Sequence, residues 1–299
     1  MKKIIRIVIL VVIIVLIAFG GYKYFNKKSE GITLNDTQNE ETNIEEETIT
    51  DDIVEGDKDK INEDDYTTLN IEDVKVPILM YHSISAADTN NSLLVPPDMF
   101  REQVKYLKEA GFTPMLLEDV VEAFSTGYVP KKPVAITFDD GYADNYSEGY
   151  KILKEFDMKA TFFIITNNTD ADGYYLSSDQ LKEMKNAGMG IESHTSRHIE
   201  FPNIAREDKK AIIQEAIDAL KEKLGVDSKF LCYPVGRYDE ETMEVAEEMG
   251  VKAAVTTEGG IATASDGLYS LKRIRMSPMN IEAFKSIFSD FEDVTIQEQ

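Results

Sequence analysis

Cysteine, histidine and tryptophan are almost absent from this sequence of 299 residues. Cys232 is the single cysteine, which excludes an intramolecular disulfide and a metal site built from clustered cysteines. There is no tryptophan, and the three histidines are His82, His194 and His198. Glycine and proline form no runs, which excludes collagen-like and proline-rich low-complexity chains.

Basic residues are scarce relative to acidic ones. The chain has 32 Lys and Arg against 55 Asp and Glu, a formal net charge of −23. Such a chain is repelled by phosphate backbones, so we expect no nucleic-acid partner. Nothing in the composition points to a particular protein partner.

The charge is distributed unevenly and predicts three segments. Residues 1–28 contain six basic residues and no acid, whereas residues 29–73 contain 17 acids and two lysines. Dense like charge with almost no aromatic residues is typical of an extended, disordered spacer. We therefore predict a membrane anchor at 1–28, an acidic disordered linker at 29–73 and a folded domain at 74–299.

The first segment carries the longest apolar run. Residues 4–22 would form a helix of about 28 Å, close to the roughly 30 Å hydrocarbon core of a bilayer. A cleavable signal peptide is the alternative, because a basic stretch precedes the apolar one. The length of the run and the lysines that follow it favour an uncleaved, single-pass transmembrane helix. In either case we expect the folded domain to lie outside the cell.

Beyond residue 76, apolar segments rich in Val, Ile and Phe alternate with amphipathic segments that end near glycine. The strand candidates are Pro77–Tyr81, Val134–Phe138, Ala160–Thr166, Met189–Ser193, Phe230–Tyr233, Ala253–Thr256 and Leu271–Met276. The helix candidates are Asp98–Ala110, Leu117–Ser125, Asn145–Phe156, Ser178–Ala187 (with Ser178 as its cap), Arg206–Leu224, Glu240–Met249 and Ile281–Phe288. This alternation predicts an α/β fold of about seven parallel strands with crossover helices, closed or nearly closed into a barrel.

Two carboxylates and two histidines follow predicted strands, at the edge where such barrels carry their reactive groups. Asp139 and Asp140 end one strand, and adjacent side chains on an extended chain point in opposite directions. One can therefore bind a metal while the other faces a substrate water; capping of the next helix is the alternative. His194 and His198 end another strand, and a helical turn there would bring both to one cation. Two imidazoles and one carboxylate with open positions suit catalytic Zn²⁺, Co²⁺, Ni²⁺ or Fe²⁺.

The segments Thr137-Phe-Asp-Asp140 and His194-Thr-Ser-Arg-His198 resemble the first two signature motifs of the polysaccharide deacetylases, carbohydrate esterase family 4. The segment Pro77-Ile-Leu-Met-Tyr-His-Ser-Ile84 is similar to the opening of the branch that contains poly-N-acetylglucosamine deacetylases. The resemblance covers residues 76–281 and implies a distorted, partly open (β/α) barrel. It further implies that Asp139 is the general base and that Asp140, His194 and His198 bind one divalent metal ion, most commonly zinc. Tyr233-Pro234-Val235 would be the third motif, with the Val235 N–H in the oxyanion hole.

The sequence also departs from the family pattern. Cys232 stands where the third motif begins with arginine, which leaves Arg237, Arg273 and Arg275 as candidates to orient the base. The tryptophan of the fourth motif and the late histidine of the fifth are missing. His82 is then the candidate general acid, since Met80-Tyr81-His82 resembles the fifth motif moved to the start of a permuted barrel. An ordinary histidine pKa near 6.5 would leave it partly protonated at neutral pH.

The resemblance implies hydrolysis of N-acetyl groups on an extracellular polysaccharide, peptidoglycan or poly-N-acetylglucosamine, with release of acetate. The candidate substrate-binding residues are Tyr142, Tyr146, Tyr233 and Pro234; for Tyr142 and Tyr146, packing in the core is the alternative. Two other functions stay open. One is a surface carbohydrate-binding pseudoenzyme, because several motifs are incomplete. The other is an O-acetyl esterase, such as a xylan deacetylase, that uses the same metal site.

Overall fold

Seven parallel strands form a closed barrel in the part of the chain that the computed structural model describes, residues 63–291. The strands are β1 (Tyr66–Thr68), β2 (Lys75–Val76), β3 (Ile78–Tyr81), β4 (Thr113–Met115), β5 (Tyr128–Pro130), β6 (Pro133–Phe138), β7 (Thr161–Ile164), β8 (Gly190–Ser193), β9 (Phe230–Cys232), β10 (Ala253–Gly259), β11 (Ala262–Thr263) and β12 (Leu271–Arg275). The α-helices are α1 (Pro97–Glu109), α2 (Leu117–Thr126), α3 (Lys151–Glu155), α4 (Ser178–Asn186), α5 (Arg206–Leu224), α6 (Glu240–Glu248) and α7 (Ile281–Ser286).

The barrel strands pair in the order β3, β12, β10, β9, β8, β7 and β6, and β6 pairs back to β3. That last pairing extends over four residue pairs, from Ile78 and Ala135 to Tyr81 and Phe138. β4 adds to the outer side of β6, while β1–β5 and β2–β11 form separate antiparallel pairs. The expectation of a partly open barrel was therefore wrong, because the pairing of β6 with β3 closes it.

The barrel is nevertheless distorted at the contact between β8 and β9, which share only the register pair Ser193 and Leu231. At the start of β9, a side chain accepts hydrogen bonds in place of the backbone of the neighbouring strand. The Oε2 atom of Glu192 accepts hydrogen bonds from the N–H groups of Lys229 and Phe230 and from the Ser228 hydroxyl. A carboxylate thus satisfies backbone donors that an irregular sheet would leave without acceptors.

All seven predicted barrel strands are present, because buried parallel strands read as short continuous apolar runs. The predicted helices are also present within a few residues, although the segment predicted as Asn145–Phe156 begins as a π-helix, Asn145–Tyr150. Ser177, not Ser178, caps α4 by accepting from the Gln180 N–H. The glycines after the predicted helices all have positive φ, as a left-handed C-terminal position requires.

The folded domain begins earlier than the charge pattern indicated. Residues 66–68, assigned above to the disordered linker, form β1 and pair with β5, and Ile71–Asp73 forms a short 3₁₀ helix. Acidic composition hid this segment, which is held by backbone pairing with β5 while Leu69 and Ile71 stay exposed. The predicted transmembrane helix and most of the linker lie outside the described residues. Within residues 63–291, none of the helices has the length and hydropathy needed to span a bilayer.

Candidate active site

The C-terminal ends of the barrel strands surround a cavity of about 230 Å³. Most of the predicted site residues line it: His82, Asp139, Asp140, His194, His198, Tyr233 and Val235. Leu93, Thr257 and Arg275 complete the lining. β3 and β6, which are buried along their whole length, end at His82 and Asp139 and so fix these residues at the rim. The location agrees with the rule that barrel enzymes carry their chemistry at this end.

Asp140, His194 and His198 converge on one point. The Oδ1 atom of Asp140 lies 3.4 Å from Nε2 of His194 and 3.4 Å from Nε2 of His198. The turn between the histidines is not helical, contrary to the expectation from their spacing. Instead, positive φ angles at Thr195 (68°) and His198 (55°) fold the loop back, and the His198 N–H donates to the Thr195 hydroxyl.

His194 is oriented by the strand next to its own. Its Nδ1 atom lies 2.8 Å from the carbonyl oxygen of Cys232, and because a carbonyl only accepts, Nδ1 must carry the proton. Nε2 is then the ring nitrogen that faces Asp140. Burial lowers the pKa of His198, which favours the neutral imidazole that metal binding needs. These donors and this supporting contact fit a divalent cation.

Asp139, His194 and Cys232 form a second group of possible ligand atoms beneath the cavity. Asp139 and Cys232 are both in contact with the guanidinium of Arg273, whose positive charge would repel a cation there. Burial raises the pKa of the Cys232 thiol, so it stays protonated. Of the two groups, Asp140, His194 and His198 are therefore the candidate cation site.

Arg273 is the residue that orients Asp139. Its Nη1 and Nη2 atoms each donate to one oxygen of the Asp139 carboxylate at 2.7 Å, and its Nε donates to the Thr256 carbonyl. Burial alone would raise the pKa of Asp139, but the guanidinium outweighs burial and holds that pKa well below its usual range. Asp139 is thus ionised at neutral pH. The sequence left three arginines open; the one signal for Arg273 was its position two residues after Leu271, on the same face of β12, which the structure buries.

His82 faces Asp139 across the cavity, with 3.9 Å between its Nε2 atom and Oδ2 of Asp139. Asn145 donates to the His82 carbonyl and fixes the backbone there. Burial lowers the pKa of His82, although the carboxylates of Asp139 and Asp140 oppose this. The expectation that it titrates at its ordinary value is therefore wrong: burial makes it a stronger acid, protonated in a smaller fraction of molecules at neutral pH.

The third motif forms a tight turn at the cavity mouth. Val235 has φ 57° and Gly236 has φ 69°, and a Cβ atom on Gly236 would lie 1.9 Å from Oγ1 of Thr257. Only glycine fits this position. The turn therefore holds the Val235 backbone at the rim of the cavity, where Val235 and Tyr233 line the wall.

Three residues predicted to bind substrate do not line the cavity. Tyr146 stacks on Tyr150, and its hydroxyl donates to Glu183 at 2.6 Å. Tyr146 therefore packs within the protein, the alternative to substrate binding given above. Pro234 is buried within the turn. Tyr142 lies beside Asp140, outside the cavity wall. Burial and the charge of Asp140 raise the pKa of the Tyr142 hydroxyl, which therefore stays protonated.

Comparisons with known proteins agree on one family. The family model described as polysaccharide deacetylase matches residues 126–254. YxkH of Bacillus subtilis (strain 168), whose name assigns it to the polysaccharide deacetylases, is 38% identical over 205 residues, 68% of this chain and 72% of YxkH. The poly-β-1,6-N-acetyl-D-glucosamine N-deacetylase of Staphylococcus aureus (strain N315) is 25% identical over 67% of this chain and 78% of its own.

A solved structure shows the same fold. Streptococcus pyogenes deacetylase PplD, determined in complex with acetate, superposes with a TM-score of 0.69 at 38% sequence identity. The match covers 72% of this chain and 98% of PplD. On these grounds the chain belongs to the polysaccharide deacetylase family, and it is a hydrolase of that family.

Proposed function

We propose that this protein removes N-acetyl groups from an extracellular polysaccharide that contains N-acetylglucosamine, either peptidoglycan or poly-N-acetylglucosamine, and releases acetate. One observation carries the proposal. The Oδ1 atom of Asp140 lies 3.4 Å from Nε2 of both His194 and His198, while the neighbouring Asp139, which lines the same cavity, is paired with Arg273 and ionised. That arrangement separates a metal-binding carboxylate from a basic carboxylate, as metal-assisted amide hydrolysis requires.

Asp140, His194 and His198 would hold one divalent ion, and two imidazoles with one carboxylate suit Zn²⁺, with Co²⁺, Ni²⁺ and Fe²⁺ as alternatives. When bound, the ion polarises the acetamide carbonyl and makes water more acidic. The hydrogen bond between His194 and the Cys232 carbonyl places the proton of the neutral ring on Nδ1, so Nε2 is the nitrogen that would bind the ion.

The protein's own groups handle the protons and the developing charge. Asp139 accepts a proton from the attacking water, while Arg273 keeps its carboxylate in place. The Val235 N–H donates to the oxyanion as the carbonyl carbon becomes tetrahedral. His82 then gives a proton to the departing nitrogen, because a sugar amine leaves poorly without one. The products are acetate and a free amino sugar.

Two relatives support the substrate class. The Staphylococcus aureus relative is named for N-deacetylation of poly-β-1,6-N-acetyl-D-glucosamine, and PplD was determined with acetate, the product expected here. Neither relative distinguishes peptidoglycan from poly-N-acetylglucosamine as the polymer for this chain. The metal-assisted mechanism is common to both.

The test is acetate release by the purified, detergent-solubilised chain from three polymers: N-acetylated peptidoglycan, poly-N-acetylglucosamine and O-acetylated xylan. We expect release from one of the N-acetylated polymers, its loss with a chelator and its recovery with added Zn²⁺. Release from xylan alone would identify an O-acetyl esterase, and no release from any polymer would favour a carbohydrate-binding pseudoenzyme.

We also propose that residues 4–22 anchor the protein in the cell membrane with the barrel outside. The length of the apolar run and an extracellular substrate support this. Protease added to intact cells should release an active fragment after cutting within residues 29–62. A protein that is cut near Gly20, keeps the rest of the chain and is free in the medium would instead indicate a cleaved signal peptide.

A further inference from the structure

Three tyrosines, of which Tyr174 is exposed and the other two are partly buried, form a cluster near the cavity, and we call Tyr142, Tyr174 and Tyr175 the tyrosine platform. The rings of Tyr142 and Tyr175 stack with 5.6 Å between centroids and 19° between planes. The ring of Tyr174 meets both edge-on, at 5.4 Å from Tyr142 and 5.2 Å from Tyr175. None of the three rings belongs to the hydrophobic core of the described barrel.

The platform is open to solvent. Tyr174 is 63% exposed, more than any other large hydrophobic side chain among residues 63–291. The hydroxyls of Tyr174 and Tyr175 have no hydrogen-bond partner within the described part of the chain. An aromatic surface left uncovered beside a reactive cavity, with polar tips free, is suited to a ligand that has both apolar and hydroxyl groups.

The loop that carries the platform is fixed to the strand end that carries Asp140. The Ala143 N–H donates to the Tyr174 carbonyl and the Leu176 N–H donates to the Gly141 carbonyl, both at 2.9 Å. The Tyr174 N–H donates to Asp172, so the loop also holds its own shape. A surface that is ordered before the ligand arrives loses less entropy on binding.

The platform lies outside the cavity but touches its edge through Tyr142, whose hydroxyl is close to the Asp140 carboxylate. A cavity of about 230 Å³ is smaller than a typical ligand pocket of roughly 300–1,000 Å³, so it has little room beyond the reacting unit of a polymer. The neighbouring units of that polymer must then lie outside the cavity, and the tyrosine platform is next to the cavity wall at Asp140.

We infer that the tyrosine platform is a sugar-binding subsite for the unit adjacent to the one being deacetylated. The C–H face of a pyranose stacks on the exposed tyrosine rings, and the free tyrosine hydroxyls bond to sugar hydroxyls. Tyrosine gives such contact area at a low cost in side-chain entropy. The inference rests on the proposed function and adds to it that the enzyme favours chains of at least two sugars.

The test compares Tyr174→Ala, Tyr174→Phe and Tyr128→Ala in the full chain. Tyr128 is the matched control, since it is also exposed (41%) and stacked on a tyrosine, Tyr66, but lies on the antiparallel pair β1–β5, which is not part of the cavity. The probes are N-acetylglucosamine, its β-1,4-linked oligomers of two to five units, and 4-nitrophenyl acetate. Acetate release gives kcat and KM for each.

For the wild-type protein we expect kcat/KM to rise from one sugar to two or more. Tyr174→Ala should raise KM for the pentamer about tenfold, the equivalent of one lost stacking contact, and leave kcat and hydrolysis of 4-nitrophenyl acetate unchanged. Tyr174→Phe should keep most of the affinity, and Tyr128→Ala should behave as wild type. The inference would be overturned if kcat/KM of Tyr174→Ala rose with the number of sugars as in the wild type. It would also be overturned if Tyr174→Ala lost as much activity on 4-nitrophenyl acetate as on the pentamer.

Calorimetric binding of the pentamer separates this inference from the proposed function. If the wild-type protein binds the pentamer and Tyr174→Ala binds it about tenfold more weakly, the subsite stands even when no acetate is released. If the wild-type protein and Tyr174→Ala bind the pentamer equally, the tyrosine platform is not a sugar-binding subsite, even when the enzyme is active.

Discussion

The guanidinium of Arg273, in the last barrel strand, holds both oxygens of the Asp139 carboxylate at 2.7 Å. The same guanidinium lies 3.2 Å from the sulfur of Cys232, the position where the family's third motif begins with arginine. The small cysteine side chain leaves room for Arg273 to reach Asp139 from the neighbouring side. Asp139, the proposed base, is therefore oriented by an arginine from a different strand.

This relationship predicts that the arginine can be exchanged between strands. Arg273→Cys should leave Asp139 as a buried, unpaired charge and reduce kcat/KM by about 10²-fold through loss of orientation. The double variant Arg273→Cys with Cys232→Arg should recover at least part of that loss. Acetate release measures the activity, and thermal unfolding reports whether each variant folds. Cys232→Ala is the control and should stay close to wild type, whereas full activity in Arg273→Cys would contradict the assigned role.

Substitutions of Asp139 and Asp140 should differ in their effect on metal content. His198→Ala and Asp140→Asn should both lose the divalent ion and the activity, because the first removes one of three ligand atoms and the second removes the only negative charge among them. Asp139→Asn should keep about one ion per chain and lose turnover, since Asp139 is paired with Arg273. Elemental analysis of the purified variants gives the metal content. Equal metal loss in Asp139→Asn and Asp140→Asn would show that the two roles are not distinct.

His82 should act in proton transfer without holding the metal. His82→Ala should retain the ion and lose about 10²–10⁴-fold in kcat. A general acid works only when protonated, so the rate falls as pH rises through its pKa. Burial lowers the pKa of His82, which places this alkaline limb of kcat/KM below the ordinary value of about 6.5.

The pH–rate profile of His82→Ala is the decisive measurement for that assignment. The alkaline limb should be absent from the variant and present in the wild-type protein. An unchanged limb, or loss of the ion together with the activity, would leave the general acid to another group.

Glu192 should make the free energy of unfolding depend on pH between about 4.5 and 7. Burial raises the pKa of Glu192 to about 7 although three donors to its carboxylate oppose the shift. A carboxyl whose pKa is raised by folding stabilises the folded state below its unfolded pKa, near 4.5. That contribution is lost as pH rises toward 7, with a change of about 3 kcal/mol at most.

Glu192→Gln removes the ionisable group. As pH increases from 4.5 to 7, the free energy of unfolding should fall in the wild-type protein relative to Glu192→Gln. Denaturant unfolding of the chelator-treated protein across this range measures the difference. Glu102→Gln, on the exposed face of α1, is the matched control and should leave the pH dependence as it is in the wild type. A constant difference between Glu192→Gln and wild type across the range would contradict the assigned pKa.

The two signature motifs could be assigned from the sequence because their information is local. Asp139 and Asp140 follow β6, His194 and His198 lie in the loop after β8, and strand ends of one barrel meet at one edge. The loop between His194 and His198 was read wrongly for a related reason. Spacing of four residues suggests a helical turn, but the left-handed backbone at Thr195 and His198 is set by contacts that spacing does not encode.

The sequence by itself determined the elements of the barrel and the donors at its rim, since apolar periodicity, terminal glycines and short polar motifs act within a few residues of chain. Only the tertiary structure decided which arginine reaches Asp139, where the folded domain begins, that β6 closes onto β3, and that tyrosines from two loops share one surface. Each of these depends on residues far apart in sequence that approach within a few ångströms. The energy of such a contact comes from charge pairing, backbone pairing or ring packing between distant segments, and no local pattern records it.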